Sequence, residues 1–218
     1  MERDDKFSGA GTPSGRCGPL PRGRRLPREQ VLASQRRRLV EGVAAALVDG
    51  GCSGITVKRV IEAAGVSRST FYEHFDNAAA ALAGAHAETA ERLTEAISGR
   101  CRPERRWAAR VDAAIGATLE FAAAEPALTR LLTLEAAAFE PALAPAVLAV
   151  HGRFAAMLAG GREHSRAGSP PPIAEAFLVG GISRTIARGL AMNEAELLPE
   201  LREPLVELVT GLVQNDFR

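Results

Sequence analysis

Apolar residues recur three and four positions apart along most of the chain, and no window long enough for a strand alternates apolar with polar residues. In segment 28–50, Leu39, Val43 and Leu47 are spaced by four with Val40 and Ala44 beside them, which is one stripe of an amphipathic helix. Gln35, Arg36, Arg37 and Arg38 take the opposite side, and Gly50 and Gly51 supply the stop. The next run, ITVKRVIEAAG, sets Val57, Val60, Ile61 and Ala64 at helical spacing behind Thr56 as N-cap, with Gly65 as a left-handed terminator. Ser67 then caps a third, short helix. The Ala-Gly-Val-Ser junction has helix-turn-helix spacing, the glycine taking the sharp turn and Val66 filling the angle between the helices.

Beyond Asp76 the pattern is helix after helix. Alanine-rich windows separated by Pro103, Pro126, Pro141, the Gly/Ser/Pro segment 160–172 and Pro199 predict six helices, at 77–98, 104–124, 127–138, 142–160, 172–191 and 194–214. The fold class is therefore all-α, about nine helices in total. Residues 1–27 are rich in Gly, Pro and Arg and carry too little apolar surface to offset the entropy of ordering, so they read as a disordered basic arm. Arg22, Arg24 and Arg25 at its end are placed to follow phosphates or enter a minor groove.

Composition changes this picture mainly through charge. The formal net charge of +1 divides unevenly: residues 1–75 hold 13 Lys and Arg against 8 Asp and Glu, whereas residues 76–218 hold 14 against 18. A basic first third and an acidic remainder point to a nucleic-acid-facing end and a second part with a different task. The first 30 residues have no apolar segment of secretory type and no apolar run approaches the ~20 residues of a membrane span, so a cytoplasmic protein with no membrane partner is expected. Cys17, Cys52 and Cys101 are widely spaced and read as free thiols, with Cys52 and Cys101 the candidates for any redox sensing. His86, His151 and His164 lack metal-ligand spacing, and neither a nucleophile–base pair, a Gly-rich phosphate loop nor a useful carboxylate pair is present. No metal, cofactor or catalytic site is expected.

The short third helix lies in the stretch GVSRSTFYEHF, residues 65–75. With Val66, Phe71 and Phe75 turned toward the first two helices, the outward face carries Arg68, Ser69, Thr70, Tyr72 and His74. Arginine offers the fork that matches guanine O6 and N7, and the hydroxyl and imidazole groups suit phosphate oxygens or base edges. Backbone amides near Ser67 and Ser69, at the positive end of the helix, add donors for a phosphate.

Residues 56–75, TVKRVIEAAGVSRSTFYEHF, resemble the helix-turn-helix signature of the TetR family of bacterial transcriptional regulators almost position for position. Segment 26–75 also resembles a common actinobacterial branch of that family. The resemblance implies a helix-turn-helix DNA-binding domain over 28–76 and a helical ligand-binding and dimerisation domain over 77–218. It further implies a homodimer on a double-stranded operator and an unknown small-molecule inducer. Thr56 and Lys58 would approach phosphates, Arg68, Ser69 and Thr70 would sit over bases, and Tyr72 and His74 would clamp the backbone, with Ser67 among the DNA-binding residues. A family lysine shortly after the recognition helix is replaced by Ala78 and Ala79, leaving Asn77 as the nearby substitute. Candidate pocket residues are Trp107, Phe121, Phe139, Phe154, Met157 and Phe177. The dimer stripe would comprise Phe177, Ile182, Ile186 and Leu190 on one helix and Leu201, Leu205, Leu208 and Leu212 on the next, with Gly180 and Gly181 allowing close approach. The alternative reading keeps the fold but weakens DNA binding, making the protein a small-molecule or protein-interaction module.

Overall fold

A computed structural model of the chain describes residues 27–51, 54–104, 106–133, 143–159 and 173–214. Among these residues there are nine α-helices and no strand. They are α1 (Arg28–Gly50), α2 (Val57–Ala64), α3 (Arg68–His74), α4 (Ala78–Cys101), α5 (Trp107–Ala124), α6 (Pro126–Leu131), α7 (Ala144–Ala159), α8 (Ala174–Ala191) and α9 (Arg202–Gln214). The predicted arm up to Leu26, with Cys17, and also Cys52 and Phe139 lie outside the described residues.

Two predicted helices differ from those observed. The expected helix 127–138 starts one residue earlier, with Pro126 in its first turn, and ends at Leu131; its predicted portion from 134 onward lies outside the described residues. The expected helix 194–214 is divided into a 3-10 segment, Ala195–Leu201, followed by α9. Pro199 sits inside that segment, where its missing N–H and its ring prevent a regular α-helix from running through.

Three apolar clusters hold the helices. The first joins Leu39, Val40 and Val43 of α1 to Val60 and Ala64 of α2, Phe71 of α3, Phe75, and Ala81, Leu82 and Ala85 of α4. It continues past the predicted boundary at 76, because Leu128 and Leu131 of α6 and Leu143 also lie within it. The second is formed by α5, α8, the 3-10 segment and α9, through Val111, Ile115, Leu119, Leu178, Ile186, Leu190, Leu198 and Val209. A third, smaller one lines α4 from Ala90 to Cys101 against Ala117, Leu132 and Val150. At the edge of the second, Arg202 grips Asp112 through two bonds, Nε to Oδ1 at 2.8 Å and a terminal nitrogen to Oδ2 at 2.7 Å. The bonds from Arg202 hold the Asp112 carboxyl below the usual carboxylate range. Gly116 makes room for this fork, since a Cβ there would stand 3.0 Å from the guanidinium.

At Gly42 the backbones of α1 and α2 come close together. A Cβ on Gly42 would lie 2.8 Å from the Val60 carbonyl oxygen and 3.0 Å from the Ala64 Cβ. Gly42→Ala is therefore expected to destabilise the protein by about 1–3 kcal/mol through overpacking. Gly99, inside α4, gives the contrast, since a Cβ there would meet nothing within 4 Å. Gly99→Ala is expected to stabilise by about 0.5–1 kcal/mol through helix propensity alone. Urea unfolding of the two variants beside wild type reads both signs.

Candidate nucleic-acid interface

The α2–α3 corner is built by local chemistry. Thr56 accepts the Arg59 N–H at 3.3 Å through Oγ1 and opens α2. Gly65 takes the left-handed conformation (φ 60°, ψ 41°), and the N–H of Val66 returns to the Ile61 carbonyl at 3.2 Å, closing the helix end. From across the domain, Arg38 donates through Nε to the Ala64 carbonyl at 2.9 Å and through its terminal nitrogen to the Gly65 carbonyl. One α1 arginine thereby satisfies the carbonyls left over at the turn. Ser67 then opens α3: its Oγ accepts the Thr70 N–H at 3.0 Å and lies 2.8 Å from the Ser69 hydroxyl and 2.9 Å from that of Thr70.

Packing fixes which side of α3 is presented. Phe71 is fully buried and Phe75 nearly so, their ring centroids 5.9 Å apart, and Val66 is half-buried against the same cluster. Arg36 stacks over Phe75 at 5.1 Å and pairs with Glu88 at 3.0 Å, tying α1 to α4 around the end of α3. What remains outward is Arg68, Ser69, Tyr72 and Glu73, with Thr70 half-buried at the edge. Tyr72 is 46% exposed although it is the chain's single tyrosine. The Arg68 guanidinium lies over its ring, 5.6 Å from the centroid, with a terminal nitrogen 3.4 Å from the phenol oxygen. These two side chains therefore extend together.

Other predicted residues are placed differently. His74 turns back toward α1, its Nε2 3.5 Å from Gln35 Oε1, and burial followed by the charge of Arg36 pushes its pKa down. Asn77 spends its side-chain oxygen on capping α4, accepting the Ala80 N–H at 2.8 Å, so only its amide NH₂ is left for other contacts. Thr56 and Lys58 are exposed at the start of α2. Glu73 was missed from the sequence although the i+4 step from Ser69 places it on the exposed face; as an acceptor it suits a cytosine amine.

The body behind this corner holds a half-open cavity of about 110 Å³ among α4, α5, α6, α7 and α8. Of the predicted wall residues, Phe121, Phe154 and Met157 line it. Trp107 instead packs at the margin of the second cluster, and Phe177 is 74% exposed. Their helices turn these rings away from the cavity, a matter of register that hydrophobicity alone does not reveal. Thr118, Thr129, Thr133, His151 and Ser183 are wall residues that the sequence pattern did not single out. On the predicted dimer stripe, Ile186 and Leu190 are buried within the chain's own second cluster and Ile182 lines the cavity. Leu201, Leu205 and Leu212 pack half-buried on the same cluster, which leaves Phe177 and Leu208, joined by Ile173, as the exposed members.

Cys101 is a poor redox group: it is buried, its thiol donates to the Arg110 carbonyl at 3.4 Å, and burial raises its pKa. Among the described residues no three His, Cys, Asp or Glu side chains converge as a metal set, and no helix is long and apolar enough to cross a membrane.

Residues 39–87 match the family model described as bacterial regulatory proteins, tetR family. No curated protein matches the chain. Among solved structures, the fatty acid degradation regulator FadR from Bacillus halodurans superposes with a TM-score of 0.71 at 17% identity, covering 80% of this chain and 94% of its own. A TetR family transcription regulator from Marinobacter aquaeolei VT8 gives 0.69 at 18% identity, covering 85% and 98%. FadR from Bacillus subtilis in complex with stearoyl-CoA gives 0.70 at 16% identity, covering 82% and 99%. The family match falls on the helices that build the Arg68–Tyr72 face, and the structural likeness carries the same fold through the body that holds the cavity. Residues 39–87 therefore match the helix-turn-helix region of bacterial regulatory proteins of the tetR family, and the described chain shares the fold of these solved structures.

Proposed function

We propose that this protein is a ligand-responsive transcriptional repressor that binds a palindromic operator as a homodimer. The observation that carries the reading is the outward face of α3, where Arg68, Ser69, Tyr72 and Glu73 stand clear of a helix whose other side is locked by Phe71 and Phe75. In this reading Arg68 and Ser69 read base edges in the major groove, with Thr70 at their margin. Tyr72, Thr56, Lys58 and the amides around Ser67 hold the backbone. His74 and the amide of Asn77 complete the phosphate contacts from the rim of the domain. Residues 28–76 would form the DNA-reading domain and 77–218 the ligand-binding and dimerising one.

Pairing follows from the shortness of α3, since one seven-residue helix buries too little to hold a site alone. The exposed apolar group Ile173, Phe177 and Leu208 supplies the surface for a second copy. A Cβ on Gly180 or Gly181 would meet nothing within 4 Å among the described residues, which leaves room for close approach.

Ligand and DNA would oppose each other through α6. Leu128 and Leu131 of this helix are buried in the first cluster, while Thr129 and the adjoining Leu132 and Thr133 face the cavity. Filling the cavity shifts that helix, and with it the spacing of the two α3 helices against major grooves ~34 Å apart. The FadR neighbour in complex with stearoyl-CoA supports a small-molecule ligand, here an apolar or amphipathic one.

Three outcomes follow. Fluorescence anisotropy on DNA flanking the protein's own gene should show salt-sensitive binding that an Arg68→Ala, Tyr72→Ala double variant weakens at least about 30-fold. Absence of salt-sensitive binding to any genomic fragment would instead favour the interaction-module alternative. Ala78→Lys, which restores a cation at the first position of α4, should steepen the slope of log K against log salt by ~0.9 per added phosphate contact. Phe177→Glu with Leu208→Glu should convert the dimer to a monomer in analytical ultracentrifugation and abolish operator binding; an unchanged sedimentation coefficient would place the interface elsewhere.

A further inference from the structure

The cavity wall is mostly apolar, with Leu93 and Ile97 of α4, Ile115 of α5, Val150 of α7 and Val179 of α8 among its residues. Its polar groups are the hydroxyls of Thr118, Thr129, Thr133 and Ser183 and the imidazole of His151. Three hydroxyls already donate to helix carbonyls, Thr118 to Ala114 at 2.8 Å, Thr129 to Glu125 at 3.0 Å and Thr133 to Arg130 at 2.8 Å. Toward an occupant these three act only as acceptors. His151 brings both a donor and an acceptor nitrogen.

A second imidazole stands near the first. His86 lies on the same stripe of α4 as Leu93 and Ile97, is 1% exposed, and has no partner for Nε2 among the described residues. Burial lowers the pKa of both histidines, and the nearby charges of Arg153 and of His151 itself press His86 further down. Arg153 is held by Glu91 at 2.8 Å. Burial thus disfavours the charged form of both rings, and among the described residues no Asp, Glu, Lys or Arg lines the cavity. An ionised group placed against these wall residues would leave water without gaining a counter-ion from any of them, whereas a hydroxyl or carbonyl needs only a hydrogen bond to replace the one it made with water.

Building on the ligand-responsive reading above, we propose that the cavity selects an uncharged, mostly apolar molecule whose single hydroxyl or carbonyl group hydrogen-bonds to His151. Selection arises because the wall rewards one neutral hydrogen-bonding group and penalises a charged one. An acid or a thioester of a large anionic carrier would be discriminated against in this wall.

The test uses the full chain and four eight-carbon probes, 1-octanol, 2-octanone, octanoate and octanoyl-CoA, titrated calorimetrically at a pH where octanoate is ionised. Octanol and octanone are expected to bind, with octanoate and octanoyl-CoA at least about tenfold weaker. On octanol binding the imidazole ¹⁵N resonances of His151 should move while those of His74 stay in place. His151→Phe should lower octanol affinity about three- to tenfold. Octanoate or octanoyl-CoA binding as tightly as octanol, or an unmoved His151 resonance, overturns the selection while leaving the cavity as a ligand site. Failure of all four probes to bind removes the ligand-site reading and this inference together.

Discussion

The arrangement depends on one shared burial. Leu128 and Leu131 of α6 are 2% and 0% exposed inside the core formed by α1, α2 and α3, yet α6 also borders the cavity. Each contributes roughly 1.5–3 kcal/mol of apolar burial, so α6 cannot leave that core without a cost comparable to a large part of a domain's stability. Its next residues, Leu132 and Thr133, are cavity wall, and Arg130 donates to the Leu190 carbonyl at the end of α8. A helix of six residues is thereby fixed at three points. Close-packed contacts of this kind do not stretch, so a displacement at one point has to appear at the others.

The α4 helix makes a second connection between the same two regions. Its first turns carry Ala81, Leu82 and Ala85 into the DNA-reading core, and Leu93 and Ile97 reach the cavity two to four turns later. Arg36 bolts its N-terminal half to α1 by pairing with Glu88 while lying over Phe75, and Gly84 keeps that corner open, since a Cβ there would meet the Phe75 ring at 2.5 Å. The half-exposed ion pair contributes little on its own. Its effect is to hold the start of α4 against α1 and Phe75 at the end of α3.

How much of this was legible in the sequence follows from the range of the forces involved. Thr56, Gly65 and Ser67 act on their own backbone within three or four residues, and so the α2–α3 corner was readable in detail. The inward turn of Phe71 and Phe75 followed from helical period. His74 was not readable, because its position depends on Gln35, 39 residues away. The same limit separates Phe121, Phe154 and Met157, which reach the cavity, from Trp107 and Phe177, which do not. All five are aromatic or thioether groups on amphipathic helices, and only the crossing of those helices decides which way each one points. Helix ends follow the same rule: the apolar period runs on through Pro199, but its ring breaks the helix into a 3-10 segment and α9.

The histidines extend this argument to energetics. His86 Nε2 is buried without a partner among the described residues, a state that costs about 1–3 kcal/mol relative to a satisfied one. Coupling free energies by which one ligand alters the affinity for another are of the same size. A ligand can shift the balance between two arrangements only by binding one of them better than the other. The unsatisfied imidazole, on the helix that links cavity and recognition corner, is a place where such a difference is available without any new charge. A rearrangement of α4 and α7 around an occupant at His151 that gives His86 a partner would release that cost in the occupied form alone.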